Sequence, residues 1–192
     1  MQVYKDYGIN DIFINSRINL KNSYSKLHYD SEKIIIAKFL NHKKKFTILR
    51  MGNVFGFNRY NSIRDIDSNL IHSFCYNALK KKNILINNGS IRRTFVPSQI
   101  FLQTIGLIVK KNLFNNSIEN ISYKNLNLKE VAYIIQKRFN LLFKSNVKVI
   151  IEDFKYKKTF KVYTNEYLKF NFSNKKIYFE IDQILKCIKK NS

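Results

Sequence analysis

The chain has 192 residues, of which 45% are hydrophobic and 15% aromatic. This length and composition predict one globular domain with a real core and exclude a disordered chain, which would be short of aromatic residues. The formal net charge of +22 favours anionic ligands such as phosphates. We do not expect a nucleic-acid-binding protein, because the charge is spread along the chain as lysine and the aromatic residues fall at core-like positions.

Targeting signals and cysteine spacing give two further expectations. The N-terminal segment MQVYKDYGINDIFINS has no basic stretch followed by an apolar run, and no window approaches eighteen uninterrupted apolar residues. We therefore predict a cytoplasmic protein that does not bind membranes.

Cys75 and Cys187 lie in apolar helical contexts without metal-ligand spacing. They are expected to be reduced core thiols, with no metal site.

The first part of the chain shows two helical patterns separated by a strand and a loop. Residues 24–40 carry spaced apolar side chains that predict a helix, and the apolar run at residues 46–49 is typical of a buried parallel strand. Gly52 and Gly56 mark a loop. Apolar residues between positions 66 and 79 recur on one face of a second, amphipathic helix.

The rest of the chain alternates in the same way. We predict strands at residues 84–86, 118–123 and 147–151, and helices at residues 97–108, 128–139 and 177–188. Pro97 suits the first turn of its helix, and Asn127 is a candidate N-cap for the next one. Helices and strands that take turns indicate an α/β fold. The pattern is regular at first and less regular later, as in a sheet domain followed by a smaller lobe.

Two tyrosines in the first helix each precede a cationic residue by four positions. These pairs are Tyr24 with His28 and Tyr29 with Lys33. Residues four apart share a helix face, so either pair could present a phenol and a cation to one ligand. A phenol has a pKa of about 10 and needs a nearby cation to transfer protons near neutral pH. The spacing alone leaves both pairs open.

Three segments, taken in order, carry a family resemblance. They are YSKLH at residues 24–28 with Glu32, LRMGNVFG at residues 49–56, and NGSIRRTFV at residues 88–96. Together they resemble the extended short-chain dehydrogenase/reductase family, and more narrowly its NAD-dependent epimerase/dehydratase branch, which acts on nucleotide sugars. The likeness covers nearly the whole chain, although the C-terminal part matches only in its helix and strand rhythm.

The resemblance favours one of the tyrosines. With Tyr24 and His28 in the family's Tyr-x-x-x-Lys positions, Glu32 falls on the family's acidic position. The gap from this motif to Arg50 then has the family's length. We therefore take Tyr24 as the catalytic tyrosine.

Two other alignments of the tyrosine motif are possible. The pair Tyr29–Lys33 would put Ala37 at the acidic position and shorten the gap to the next motif. A third register takes Lys26 as the lysine and Asp30 as the acid, but it has asparagine where the tyrosine belongs. Neither matches the family pattern as fully.

The resemblance implies catalytic roles for Tyr24 and His28. The tyrosine would exchange a proton with a sugar hydroxyl while the nicotinamide ring takes or returns a hydride. His28 stands where the family has a lysine that supports the phenol and binds the nicotinamide ribose. Imidazole titrates near 6.5, so His28 would be mostly neutral at pH 7 and would lower the phenol pKa less than a lysine does, although it could still donate to a ribose hydroxyl.

The resemblance also implies five binding residues. Met51 and Gly52 would lie near the nicotinamide, Asn53 near the substrate phosphates and Ile84 beside the nucleotide base. Arg93 would pair with the diphosphate, a role suited to a planar bidentate donor, and the neighbouring arginine could substitute for it. The alternative for Asn53 and the loop glycines is that they only form a turn. The aspartate that the family has after its Phe-Val is absent.

No Gly-x-x-Gly-x-x-Gly loop occurs in the sequence, and the family needs one to approach the NAD pyrophosphate. Val3-Tyr4 resembles a family segment from the middle of the sheet domain. We therefore expect residues 1–60 to be the end of an NAD-binding Rossmann domain and residues 61–192 a nucleotide-sugar-binding lobe. The predicted fold is α/β, an incomplete Rossmann-type parallel sheet with a smaller C-terminal α/β lobe. NAD or NADP binding would then require a missing N-terminal segment.

Three functions remain open at this point. The first is a nucleotide-sugar epimerase or dehydratase, as in polysaccharide biosynthesis. The second is a keto-sugar reductase of the same superfamily, and the third is a non-catalytic remnant that binds nucleotide sugars. The expected partners are a nucleotide-sugar substrate and either a second copy of the chain or a separately encoded N-terminal half. No metal is expected.

Overall fold

The structure is a computed structural model that describes residues 23–56, 69–152 and 173–190. Its elements in chain order are α1 (Ser23–Asn41), β1 (Thr47–Met51), β2 (Asn53–Phe55), α2 (Leu70–Lys80), β3 (Asn83–Ile86), β4 (Arg92–Pro97), α3 (Ser98–Lys110), β5 (Ser117–Ile121), β6 (Lys124–Asn127), α4 (Leu128–Phe143), β7 (Lys148–Ile151) and α5 (Asn174–Lys190). Every helix among them was predicted, as were β1, β3, β5 and β7. The short strands β2, β4 and β6 were missed.

Local signals fix two of the helix starts. Asn127 caps α4 through a capping box, in which its side chain accepts from the Glu130 amide and the Glu130 carboxylate accepts from the Asn127 amide. This confirms the predicted N-cap. In α2 the cap is Asn69, whose side chain accepts from the Ile71 amide. The first residues of the predicted second helix, 66–68, lie outside the described residues.

The strands pair in three small groups. β1 lies parallel to β5, β3 lies parallel to β7, and β4 lies between β2, to which it is parallel, and β6, to which it is antiparallel. The predicted α/β class and its parallel strands are confirmed. β1 and β5 come from opposite sides of the predicted boundary at residue 60, and the division into two domains stays a prediction.

A layer of three helices covers one side of the core. α2, α4 and α5 pack against one another, and α2 and α4 also contact β3. Arg138 of α4 donates to Asp182 of α5, with the Nε to Oδ1 distance at 2.7 Å. Cys75 of α2 is fully buried, and its burial raises the pKa of the thiol far above the usual range. Neither cysteine is joined in a disulfide, in agreement with the predicted thiols, although Cys187 is only half-buried.

Helix α1 turns a polar face inward. Its buried residues are Ser25 and Glu32, whereas Leu27 and Ile34, which helped to predict the helix, are exposed. The inward face is polar because the glutamate has a buried partner on β1. Within the described ranges, no helix is long and apolar enough to cross a membrane.

Candidate functional site

The first two turns of α1 present Tyr24 and His28 together. The two rings meet edge to face with their centroids 4.4 Å apart. Tyr24 keeps 54% of its surface exposed, and His28 is also exposed. The phenol is therefore accessible to a ligand, and an imidazole lies against its ring as the four-residue spacing predicts.

The competing pair is also formed. The Lys33 Nζ lies 4.4 Å from the centroid of the Tyr29 ring, so the ammonium contacts the face of the ring in a cation–π pair. Tyr29 is half-buried. The geometry of the two tyrosine pairs does not by itself choose between them.

A buried ion pair joins α1 to β1. The Arg50 guanidinium donates to both carboxylate oxygens of Glu32, at 2.9 Å from Nε to Oε1 and 2.6 Å from Nη2 to Oε2. The two side chains are only 5% and 11% exposed. Bidentate pairs of this kind combine charge with fixed geometry. Glu32 is thus the acid that joins α1 to β1, while Tyr24 as the catalytic tyrosine stays a prediction.

The pair also locates α1 relative to the loop after β1. Arg50 immediately precedes Met51 and Gly52, and it lies beside Asn120 in the β1–β5 register. Tyr24 and His28 precede Glu32 by eight and four residues, so the three follow one side of α1. The ion pair therefore ties the tyrosine-bearing helix to the carboxyl end of β1, the edge at which open α/β sheets bind ligands.

Gly52 lies in close contact with β4. Its amide donates to the Ile121 carbonyl at 3.1 Å. A Cβ at this position would lie 2.4 Å from the Thr94 Cγ2 and 2.8 Å from the Thr94 carbonyl oxygen. Glycine is therefore required because the backbone passes directly against Thr94. The predicted turn is in fact a single residue between β1 and β2.

Asn53 and Arg93 lie on either side of the same threonine. The Asn53 Nδ2 donates to the Thr94 carbonyl at 3.0 Å, and Arg93 directly precedes Thr94 on β4. Arg93 pairs with Leu126 of β6 through its backbone, and its exposed side chain makes no hydrogen bond or ion pair with the part of the chain that the structure describes. The fold thus brings together two residues predicted to contact phosphates that are forty positions apart in the sequence.

The neighbouring arginine is already engaged. Arg92 donates from Nη1 to the Asn125 carbonyl at 3.1 Å and lies 3.8 Å from the Glu130 carboxylate. This leaves Arg93, as the resemblance implies, as the arginine available to an anionic ligand. Ile84, expected beside the nucleotide base, has no exposed surface.

Sequence reasoning missed the polar side chains beneath the loop. The Thr94 hydroxyl bonds the Ser122 hydroxyl, and the Asn125 Nδ2 donates to Ser122 at 3.3 Å. Thr94 and Asn125 belong to strands that the apolar pattern did not predict, and Ser122 lies just beyond β5. Thr94 lies inside the NGSIRRTFV motif, but no pattern in the sequence assigned a role to any of the three. Thr94 and Ser122 are buried and Asn125 is half-buried, and together they form a polar support next to Gly52 and Asn53.

His72 was missed for a similar reason. It lies in the first turn of α2, is 92% buried, and places Nε2 at 3.1 Å from the Gly56 carbonyl. Its Nδ1 has no hydrogen-bond partner among the described residues. Burial lowers the pKa of His72, while the Gly56 carbonyl and the charge of Glu180 oppose that shift. The imidazole is therefore neutral, with Nε2–H donating to the loop.

The described residues offer no metal centre. Nowhere in ranges 23–56, 69–152 and 173–190 do three or more His, Cys, Asp or Glu side chains come together in a way that could hold a metal ion.

Comparisons with known proteins identify the fold. No family model and no curated protein matches the sequence. Among solved structures, the chain is similar to a UDP-N-acetylglucosamine 4-epimerase from Methanobrevibacter ruminantium M1 in complex with UDP-N-acetylmuramic acid. The TM-score is 0.77 at 15% identity, and the match covers 100% of this chain and 61% of that one.

Two further solved structures give the same picture. A dTDP-glucose 4,6-dehydratase from Bacillus anthracis str. Ames in complex with NAD matches with a TM-score of 0.72, 16% identity, and coverage of 99% of this chain and 60% of that one. A UDP-glucuronic acid 4-epimerase from Bacillus cereus in complex with UDP-glucuronic acid and NAD matches with a TM-score of 0.72, 14% identity, and coverage of 100% and 60%. The chain therefore has the mixed α/β fold of part of these enzymes and spans about three fifths of their length.

The buried Glu32–Arg50 pair predicts unequal stability losses for two acidic residues of α1. Replacing Glu32 with alanine leaves a buried guanidinium without its carboxylate and should lower the free energy of unfolding by about 3–5 kcal/mol, as measured by urea denaturation. Asp30→Ala removes an acid that is less buried and should cost less than about 1 kcal/mol. A larger loss for Asp30→Ala than for Glu32→Ala would show that the Glu32–Arg50 pair is not buried as described.

The buried imidazole predicts a pH dependence of stability. Because the pKa of His72 is lower in the folded chain than its unfolded value of about 6.5, the unfolded state takes up the proton first as the pH falls. The contribution of His72 should be complete above about pH 6.5 and should decline below it, by at most about 1.4 kcal/mol per pH unit. The measurement is the free energy of unfolding across that range.

Two variants isolate this effect. His72→Gln can still donate to the Gly56 carbonyl but does not titrate, so its stability should fall less steeply with acid than that of the unmodified chain. His42→Gln changes an exposed histidine and should leave the slope as it is. Equal slopes for all three proteins would show that His72 is not buried as a neutral ring.

Proposed function

We propose that this chain is the nucleotide-sugar-binding portion of an NAD-dependent epimerase/dehydratase-type enzyme that transfers a hydride and a proton at a sugar carbon. The observation that carries the proposal is that the Asn53 side chain bonds the Thr94 carbonyl, directly after Arg93 on β4. The family resemblance assigns both Asn53 and Arg93 to substrate phosphates, from separate motifs. The fold likeness to a UDP-N-acetylglucosamine 4-epimerase, a dTDP-glucose 4,6-dehydratase and a UDP-glucuronic acid 4-epimerase supports the same ligand class.

The diphosphate is the part of the substrate that this chain is best equipped to hold. Arg93 offers an exposed guanidinium, which can bind phosphate oxygens through two parallel hydrogen bonds. Asn53 begins β2 next to it, and its orientation is fixed by the bond to the Thr94 carbonyl. The chain's strong positive charge adds a general attraction for phosphate.

Tyr24 is the proposed proton donor and acceptor. Its phenol is accessible, and its ring contacts His28. In the ionised form it would take the proton from a sugar hydroxyl and return it later in the cycle. His28 would orient the phenol and hydrogen-bond a ribose hydroxyl, while supplying less charge than a lysine.

The residues present fit only the nicotinamide end of the cofactor. Met51 and Gly52 lie at the carboxyl end of β1, the strand to which the tyrosine-bearing helix is joined by the Glu32–Arg50 pair. Bound NAD would supply the hydride acceptor. The sequence contains five glycines, none of them in the spacing of a pyrophosphate-binding loop. We therefore propose that NAD binding requires a further segment, while sugar-nucleotide binding does not.

A non-catalytic nucleotide-sugar-binding protein is the second candidate. The observation that favours it is that the Tyr24 ring contacts the imidazole of His28, where the resembled family has a lysine. The two functions are separated by titrating NAD into the chain after a separate polypeptide with a glycine-rich pyrophosphate-binding loop has been added. NAD binding would favour the enzyme, and sugar-nucleotide binding without NAD binding would favour the non-catalytic protein. Reduced-cofactor consumption in proportion to product would instead indicate a keto-sugar reductase.

The binding claim predicts the effect of one substitution. The chain should bind UDP-N-acetylglucosamine with a Kd in the micromolar to millimolar range typical of substrates. Arg93→Gln should weaken that binding by about tenfold or more, because it removes a charge-assisted bidentate contact. Isothermal titration calorimetry measures both values.

A control variant tests whether binding depends only on the overall positive charge of the chain. Lys110→Gln removes one exposed positive charge at the end of α3 and should change the Kd by less than about twofold, as expected for a screened surface charge. An equal loss in both variants would show diffuse electrostatic attraction instead of a site. No measurable binding by the unmodified chain would overturn the proposed function.

A further inference from the structure

A buried carboxylate of the C-terminal helix lies at the start of α3. Glu180 of α5 is 3% exposed, and its Oε1 accepts from the Ser98 hydroxyl at 2.7 Å and from the Gln99 amide at 3.3 Å. The residue at the N-cap of α3 is Pro97, which makes no side-chain capping bond. Glu180 therefore caps α3 from another helix, where the free amides and the helix dipole favour a negative charge.

Gly56 is packed closely against Ser98 and Glu180. A Cβ on Gly56 would lie 2.2 Å from the Ser98 Oγ and 3.0 Å from the Glu180 Oε2. On its other side, the Gly56 carbonyl contacts His72 at 3.1 Å. The segment from Gly52 to Gly56, called here the substrate loop, is thus held against Thr94 at its first residue and against this cluster at its last.

We infer that Glu180 is a positioning residue that fixes the substrate loop by holding Ser98 and the start of α3 against Gly56. The inference deepens the proposed function, on which it rests for what the loop binds. The chain supplies a carboxylate to the start of α3 from α5, and this carboxylate reaches the loop as well as the helix.

The consequence is a link between the C-terminal helix and the ligand contacts. Asn53 lies within the substrate loop, and β2 pairs with β4 between its two ends. Loss of the Glu180 carboxylate would free the Ser98 side chain that lies against Gly56 and leave that end of the loop with the His72 contact. A displacement of about 1 Å in groups that position a ligand is enough to weaken their function by orders of magnitude.

The test compares two carboxylates on the same helix. Glu180→Ala removes the contact with α3, whereas Asp182→Ala removes the contact with Arg138 of α4 and leaves the loop untouched. Both variants should lose stability. Only Glu180→Ala should accelerate amide hydrogen exchange at residues 53–55, by about tenfold or more relative to Asp182→Ala, measured by NMR on the full chain.

One rescue variant separates positioning from a general loss of folding. Glu180→Gln keeps an oxygen that accepts from Ser98 and Gln99, so it should retain most of the protection at residues 53–55.

Ligand binding supplies the second measurement. The Kd for UDP-N-acetylglucosamine should rise by about tenfold in Glu180→Ala and should stay within about twofold in Asp182→Ala. If the unmodified chain binds no sugar nucleotide, the proposed function fails while the exchange experiment still decides the role of Glu180. Equal exchange at residues 53–55 in the two alanine variants would overturn the inference whatever the binding result.

Discussion

The arrangement of the candidate site depends on one buried ion pair between α1 and β1. Glu32 is the only acidic residue on the inward face of α1, and Arg50 holds both of its oxygens in a setting that excludes most water. Desolvating two charges is costly unless the geometry satisfies them, so the pair strongly restricts how the helix can lie on the strand. Because Tyr24 and His28 follow the same side of α1, their position relative to Gly52 and Asn53 is set by this contact more than by apolar packing. The exposed Leu27 and Ile34 agree with that conclusion.

The substrate loop, which follows β1 directly, is held by a second set of contacts. The loop is short, and each of its glycines lies where a methyl group would collide with a neighbouring element. Gly52 is pressed against Thr94 of β4, and Gly56 against Ser98 of α3. Between them Asn53 is hydrogen-bonded to the strand that carries Arg93. The polar support formed by Thr94, Ser122 and Asn125 adds hydrogen bonds to a region that also packs through Phe55 and Phe95. A ligand that contacts Asn53 would therefore meet a group that is already oriented, which lowers the entropic cost of binding.

Much of the fold could be predicted because its long elements are periodic. α4 and α5 show regular apolar faces, and the capping box at Asn127 is visible in four residues of sequence. β6 could not be predicted from periodicity, because its sequence, KNLN, contains only one apolar residue. It is recognised as a strand by its backbone pairing with β4. Long-range polar contacts were equally invisible. Glu180 lies on the apolar face of α5 between Ile177 and Ile181, so a buried charge was detectable, but its partner on α3 is over eighty residues away in the sequence. The choice of Tyr24 over Tyr29 came from resemblance and from Glu32, because local spacing suits both.

The central claim is that one surface of this chain presents Tyr24 to a sugar and Arg93 to its diphosphate. A crystal structure of the chain with UDP-N-acetylglucosamine tests this most directly. The account predicts a diphosphate bonded to Arg93 and Asn53, with the sugar ring directed toward the Tyr24 hydroxyl. A nucleotide bound elsewhere, or Tyr24 and Arg93 facing separate compartments, would contradict it.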